Sequence, residues 1–85
     1  MRLISFTPDA FEQFCDWRDT DKKIQNKIIK LIEDVHRNPF EGLGKPEPLK
    51  HNFKGFWSRR INDEHRLVYE VTDEQICIVG CKYHY

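Results

Sequence analysis

The feature that most limits how this chain can fold is a change of pattern near its middle: apolar residues recur at helical spacing up to Val35, and short β-rich runs succeed them from Phe56 onward. Ala10, Phe11, Phe14, Cys15 and Trp17 fall three and four apart and form one stripe, with Glu12, Gln13 and Asp16 outside it. Thr7-Pro8 supplies an N-cap and a proline at the first helical position. Asp19-Thr20-Asp21 ends this helix and caps a second one, whose inner face is Ile24, Ile28, Leu31, Ile32 and Val35 and which Asn38-Pro39 closes. Residues 2–6 read as a short opening strand. Residues 56–61, 66–71 and 76–81 read as strands separated by turn sequences, which predicts an antiparallel meander. The expected architecture is α+β, with two N-terminal helices packed on one face of a twisted antiparallel sheet. No repeat or linker interrupts it, so residues 1–85 are expected to form one domain.

Composition narrows the function classes. With 39% hydrophobic and 33% charged residues, the chain suits an ordered soluble globule, and 85 residues leave little room for a large internal ligand cavity. No apolar run approaches the roughly 18 residues of a membrane span, and the opening residues turn polar too soon for a secretory signal. A cytoplasmic, membrane-free protein is expected. Cys15, Cys77 and Cys81 are odd in number and lack the two-residue spacing of redox or zinc pairs, so reduced thiols are the expectation. A metal site from Cys77, Cys81 and His84 lacks a fourth ligand and matches no common zinc spacing, although Cys77 and Cys81 would share a strand face. No metal and no cofactor are expected.

Charge is balanced overall but not locally. Lys45, Lys50, Lys54, Arg59 and Arg60 stand against the single acid Glu47, with Phe53, Phe56 and Trp57 interleaved. Such a stretch either holds phosphates and stacks bases or is a solvated loop entering a core strand. Lys23, Lys27, Lys30 and Arg37 make a second basic stripe, read as a solvated helix face. Residues 39–55 hold three of the four prolines and three of the four glycines and read as one long loop, a kind of segment that is uncommon in small domains unless functional. Within it, Pro46 and Pro48 restrict the backbone on both sides of Glu47.

Alone, a loop glutamate is usually just solvated, and His84 and Tyr85 at the end of the sequence would usually fray. Their combination is more informative. Arg60 and Arg66 flank a turn and would share a sheet face if they pair, although a one-residue slip would separate them. Placed so close, they would need an anion between them. A carboxylate that takes a 2′-proton, an imidazole that protonates a leaving 5′-oxygen, and guanidinium groups that stabilise charge on phosphorus are what metal-free RNA cleavage requires. His36, His51 and His65 read as surface or structural residues.

Four blocks in order carry a family resemblance: 45–51 (KPEPLKH), 55–61 (GFWSRRI), 64–69 (EHRLVY) and 83–85 (YHY). They resemble the YoeB/Txe toxins of the RelE superfamily. The resemblance implies a microbial-ribonuclease-like (RelE-like) fold and a toxin that enters the ribosomal A site, cuts mRNA there and is silenced by a YefM/Axe-type antitoxin. It implies Glu47 as general base, His84 as general acid, Arg66 as the main transition-state stabiliser, Tyr85 as completing the site, and Lys50 and Arg60 as substrate contacts. Arg59 and Lys82 are also expected at the substrate, Lys82 where relatives often carry arginine, so that a point charge replaces a planar fork. Operator DNA is expected as a partner only through the toxin–antitoxin complex, and homodimerisation is left open. The rival readings are a ParE-like gyrase poison, which would need neither Glu47 nor His84, and a non-catalytic co-repressor.

Overall fold

The computed structural model describes residues 1–50 and 54–83. Its elements are, in chain order, β1 (Leu3–Phe6), α1 (Pro8–Thr20), α2 (Lys22–Arg37), β2 (Glu47–Pro48), β3 (Phe56–Arg60), β4 (Arg66–Val71) and β5 (Gln75–Gly80). The helices begin where local chemistry predicts. Thr7 caps α1 by accepting the Ala10 N–H, with Pro8 inside the first turn. Asp21 serves both helices: its N–H donates to the Trp17 carbonyl, and its side chain accepts from the Lys23 N–H. A single residue thus forms the corner of the helical hairpin.

The sheet has the order β1-β5-β4-β3-β2. The meander β3-β4-β5 is antiparallel as expected, but β1 lies parallel to β5, with Ile4 opposite Ile76, so the sheet is mixed rather than wholly antiparallel. The segment read as one long loop also holds β2, which pairs antiparallel with β3. Proline is tolerated there because β2 is an edge strand and its outer side needs no donor.

One face of the sheet carries the helices. Ile28, Leu31 and Val35 of α2 are completely buried, and they pack with Ala10 and Trp17 of α1 on Leu67, Tyr69, Ile76 and Ile78. At about 1.5–3 kcal/mol for each large side chain buried, this contact outweighs the capping bonds, each worth about 1 kcal/mol. A β-bulge falls between the pairs Val68↔Gly80 and Tyr69↔Ile78. It reverses the facing of the residues beyond it, so Cys77, opposite Glu70, and Cys81, inside the core, do not share a face. Burial pushes the Cys81 thiol up to about 12, which suits a packed hydrophobe and not a thiolate ligand.

Arg59 also points to the helix side and is fully buried, which corrects its expected place at the substrate. Its Nε donates to the Tyr69 hydroxyl at 3.1 Å. Nη1 donates to Asp34 at 2.5 Å and to the Leu43 carbonyl at 3.1 Å, and Nη2 to the carbonyls of Asn38 at 2.6 Å and Glu41 at 2.9 Å. All five guanidinium N–H groups are satisfied. The Leu43 N–H and then the Arg59 guanidinium hold the Asp34 carboxyl below the usual carboxylate range. Gly44, at φ +77, completes the seam: its carbonyl accepts the Arg60 N–H, and a Cβ there would come 2.9 Å from the Arg60 carbonyl oxygen.

Removing one partner of a buried pair strands the other. Arg59→Met should cost about 3 kcal/mol, the lower end for such pairs because the Asp34 side chain is 21% exposed, measured as a shift in the urea midpoint. Because the folded-state pKa of Asp34 is depressed, its contribution is complete above the unfolded value of about 3.9 and is lost as pH falls through the lower folded value. The stability gap between wild type and Asp34→Asn should therefore be constant near neutrality and narrow below about pH 4. A gap unchanged down to pH 2 would count against this ion pair.

Candidate active site

The face of the sheet opposite the helices gathers the polar residues. Strand alternation puts Glu47, Ser58, Arg60, Arg66 and Val68 there, since Glu47 pairs with Ser58, Ser58 with Val68, and Arg60 with Arg66. The register left open by the sequence is thus the one that sets the two arginines side by side. Each arginine has a carboxylate partner. Arg60 forms an ion pair with Asp63 in the β3–β4 turn. Arg66 Nη1 donates to Glu47 Oε1 at 3.1 Å and to Ser58 Oγ at 3.3 Å.

Glu47 owes its position to its backbone. Lys45, in the left-handed region at φ 52, turns the chain into Pro46, and the two residues of β2 then bond to β3, with the Leu49 N–H donating to the Phe56 carbonyl just beyond. The carboxylate is 59% exposed and the Arg66 side chain 28% exposed, so the pair lies at an open surface. Lys50 comes two residues after Pro48 and is exposed.

The other expected site residues go different ways. Arg59 is interior. The Lys82 ammonium lies over the rings of Trp17 and Tyr83, at 5.6 and 5.5 Å, and lines a cleft with Asp9, Glu12, Gln13 and Asp16 of α1, so its surroundings are an acidic helix face rather than the Glu47–Arg66 pair. Trp57, a candidate for base stacking, is turned to the helix side and packs on Phe40 at 5.1 Å. Phe53, His51, His84 and Tyr85 lie outside the described residues. The chain does reach the site at Tyr83, whose carbonyl accepts the Arg66 N–H at 3.1 Å. Ser58 and Asp63 were not singled out from sequence. Their signal was present in the alternation that places Ser58 beside Arg66's strand position and in the three-residue spacing from Arg60 to Asp63.

A family model described as the YoeB-like toxin of the bacterial type II toxin-antitoxin system matches residues 6–85. The chain belongs to the YoeB toxin family. It is accordingly a toxin of a type II toxin–antitoxin system. It is 56% identical to Toxin YoeB of Escherichia coli K12 over 85 residues, covering 100% of both chains. Its fold matches the YoeB dimer of Staphylococcus aureus with a TM-score of 0.91 at 52% identity, covering 99% of this chain and 98% of that one. It also matches YoeB in the heterotetrameric YoeB–YefM complex from the same organism with a TM-score of 0.88 at 53% identity, covering 100% of both. A carboxylate–guanidinium pair as exposed as Glu47–Arg66 contributes little to stability, because such pairs are worth about 0–1 kcal/mol. Glu47→Ala should therefore change unfolding free energy by less than about 1 kcal/mol, and a larger loss in chemical denaturation would show that the pair is structural.

Proposed function

We propose that this YoeB-family chain is a ribosome-dependent mRNA endoribonuclease, and the observation that supports the reading most is the Glu47–Arg66–Ser58 cluster on the sheet face opposite the helices, where Ser58 is buried beneath the more exposed Arg66 and Glu47, with Arg60 opposite Arg66. In the proposed reaction the Glu47 carboxylate accepts the proton of an RNA 2′-hydroxyl. The 2′-oxygen attacks the adjacent phosphorus, and the bond to the 5′-oxygen breaks as His84 gives that oxygen a proton. The products are a 2′,3′-cyclic phosphate and a 5′-hydroxyl end. Arg66, with Arg60 beside it, stabilises the added negative charge on phosphorus, and leaving Glu47 for the phosphate costs Arg66 only a weak exposed pair. Lys50 adds a phosphate contact and Tyr85 completes the site. The scheme calls for no metal.

Action in the ribosomal A site is implied by the family resemblance, and with it a cytoplasmic location. The complex formed by the Staphylococcus aureus relative supports a YefM-type antitoxin as partner here, and the dimer of that relative supports self-association. In this reading an acidic antitoxin segment orders on binding and either covers Arg60 and Arg66 or displaces the chain from Tyr83 onward. Operator DNA is bound through the toxin–antitoxin complex.

Glu47→Ala and His84→Ala should each slow cleavage by about 10² to 10⁴, with folding retained. The test maps 5′ ends on a translated mRNA and on the same transcript with its start codon removed, for wild type and each variant. A folded Glu47→Ala protein that cuts at the wild-type rate removes the assignment. Equal cutting of both transcripts removes ribosome dependence, and DNA breaks that precede loss of translation would favour the gyrase-poison reading.

A further inference from the structure

The backbone of residues 81–83 is fastened at four points. Cys81 N–H donates to Gln13 Oε1 at 2.8 Å, and its carbonyl accepts from Trp17 Nε1 at 3.0 Å. Tyr83 N–H donates to His65 Nδ1 at 2.8 Å, and its carbonyl accepts the Arg66 N–H at 3.1 Å. Of these partners, His65 is unusual in needing a particular protonation state. A backbone amide can only donate, so Nδ1 must present a lone pair and the ring proton must sit on Nε2. The other side of the ring agrees: Nε2 faces Glu64 Oε1 at 3.3 Å, and a carboxylate accepts that proton. The imidazole is buried, edge-on to Trp17 at 4.8 Å between ring centroids and 5.3 Å from the Tyr83 ring.

The held residue is itself in a costly conformation. Tyr83 has φ 61, in the left-handed region that bulky side chains avoid, and nothing about a tyrosine selects that turn. The His65 and Arg66 bonds on either side of its Cα supply what the residue lacks. His65 and Arg66 are consecutive in β4's approach, so one turn of chain both carries the phosphate-facing guanidinium and fixes the direction in which the chain leaves Tyr83.

We propose that His65 is a positioning residue for RNA cleavage: through Nδ1 it locks Tyr83 in its left-handed turn and so fixes the direction in which the chain leaves Tyr83 beside Arg66. This rests on the assignment of His84 as the proton donor. His65 touches neither substrate nor the reacting atoms and acts through the Tyr83 amide.

Two substitutions separate the acceptor from the ring. His65→Phe keeps an aromatic ring between Trp17 and Tyr83 and removes the acceptor, whereas His65→Asn keeps an oxygen branching from Cγ where Nδ1 was and gives up most of the ring. In steady-state cleavage of ribosome-bound mRNA, His65→Phe should lower kcat by about tenfold or more, because a small misplacement of a proton donor is enough for that, with KM little changed. His65→Asn should recover most of the rate even if it is the less stable protein. Wild-type protein provides a reading that no folding defect can spoil: NMR should show a scalar coupling between the Tyr83 amide and His65 Nδ1, with that amide protected from exchange. A folded His65→Phe variant with wild-type kcat, an Asn variant as slow as the Phe variant, or a Tyr83 amide without coupling or protection would each overturn the proposal. His84→Ala is run in parallel. If it cuts normally, the acid assignment falls irrespective of His65; if it is inactive while His65→Phe is normal, only the positioning role falls.

Discussion

The structure depends on one guanidinium. Arg59 is permanently charged, entirely enclosed and bonded through every N–H it has, and its acceptors come from places the hydrophobic core alone would not hold together: the last turn of α2, the segment just after it, and Tyr69 in the middle of the sheet. Asp34 supplies the countercharge and, through the Leu43 N–H, draws the same segment inward. Tyr69 adds a further tie by donating to the Pro39 carbonyl at 2.7 Å. The polypeptide from 38 to 44 is thereby laid against β3, the Gly44 carbonyl meets the Arg60 N–H, and three residues later Glu47 arrives opposite Ser58. The buried pair thus fixes the edge strand that carries the exposed carboxylate. Its geometry matters for the site even though its atoms never reach the open face.

Much of this was readable from local chemistry. Both helices, their caps and the three strands of the meander were legible because each is set by near neighbours: a capping residue, a stripe at three and four, a turn between β-rich runs. The parallel pairing of β1 with β5 was not, since it joins residues some 70 apart and no local pattern specifies which strand an opening strand will meet. The two-residue β2 was hidden because prolines on both sides of Glu47 argue against a strand everywhere except at an edge. The bulge at Val79 escaped for a related reason. One extra residue reverses every facing beyond it, so counting by twos from Cys77 puts Cys81 on the wrong side.

The site was legible to a different degree. Glu47, Arg60 and Arg66 drew attention because the two flanking prolines and the turn between two arginines are visible in sequence, and the register places the three on a common face. Arg59 was misplaced because a basic stretch treats adjacent arginines alike, while a strand sends them to opposite faces. The alternation held the answer: Trp57, Arg59, Leu67 and Tyr69 share a side, and an arginine among such neighbours is interior unless something opens the core. His65 looked featureless for the opposite reason, as its meaning comes from Tyr83, 18 residues away.

The two left-handed non-glycine residues among those described, Lys45 and Tyr83, mark where this fold works hardest against local preference. Each costs on the order of 1–3 kcal/mol, a noticeable share of the 5–15 kcal/mol by which such domains are stable. Lys45 stands two residues before Glu47 and Tyr83 one before His84, so the strain falls at the entrances to the proposed base and the proposed acid. Neither position is a place where the core demands it: Lys45 is exposed, and Tyr83 is exposed apart from its ring contacts. The location of this strain, two residues before Glu47 and at Tyr83 beside Arg66, is what a fold would show if the direction of the backbone at these two points, rather than the stability of either segment, were the quantity being held.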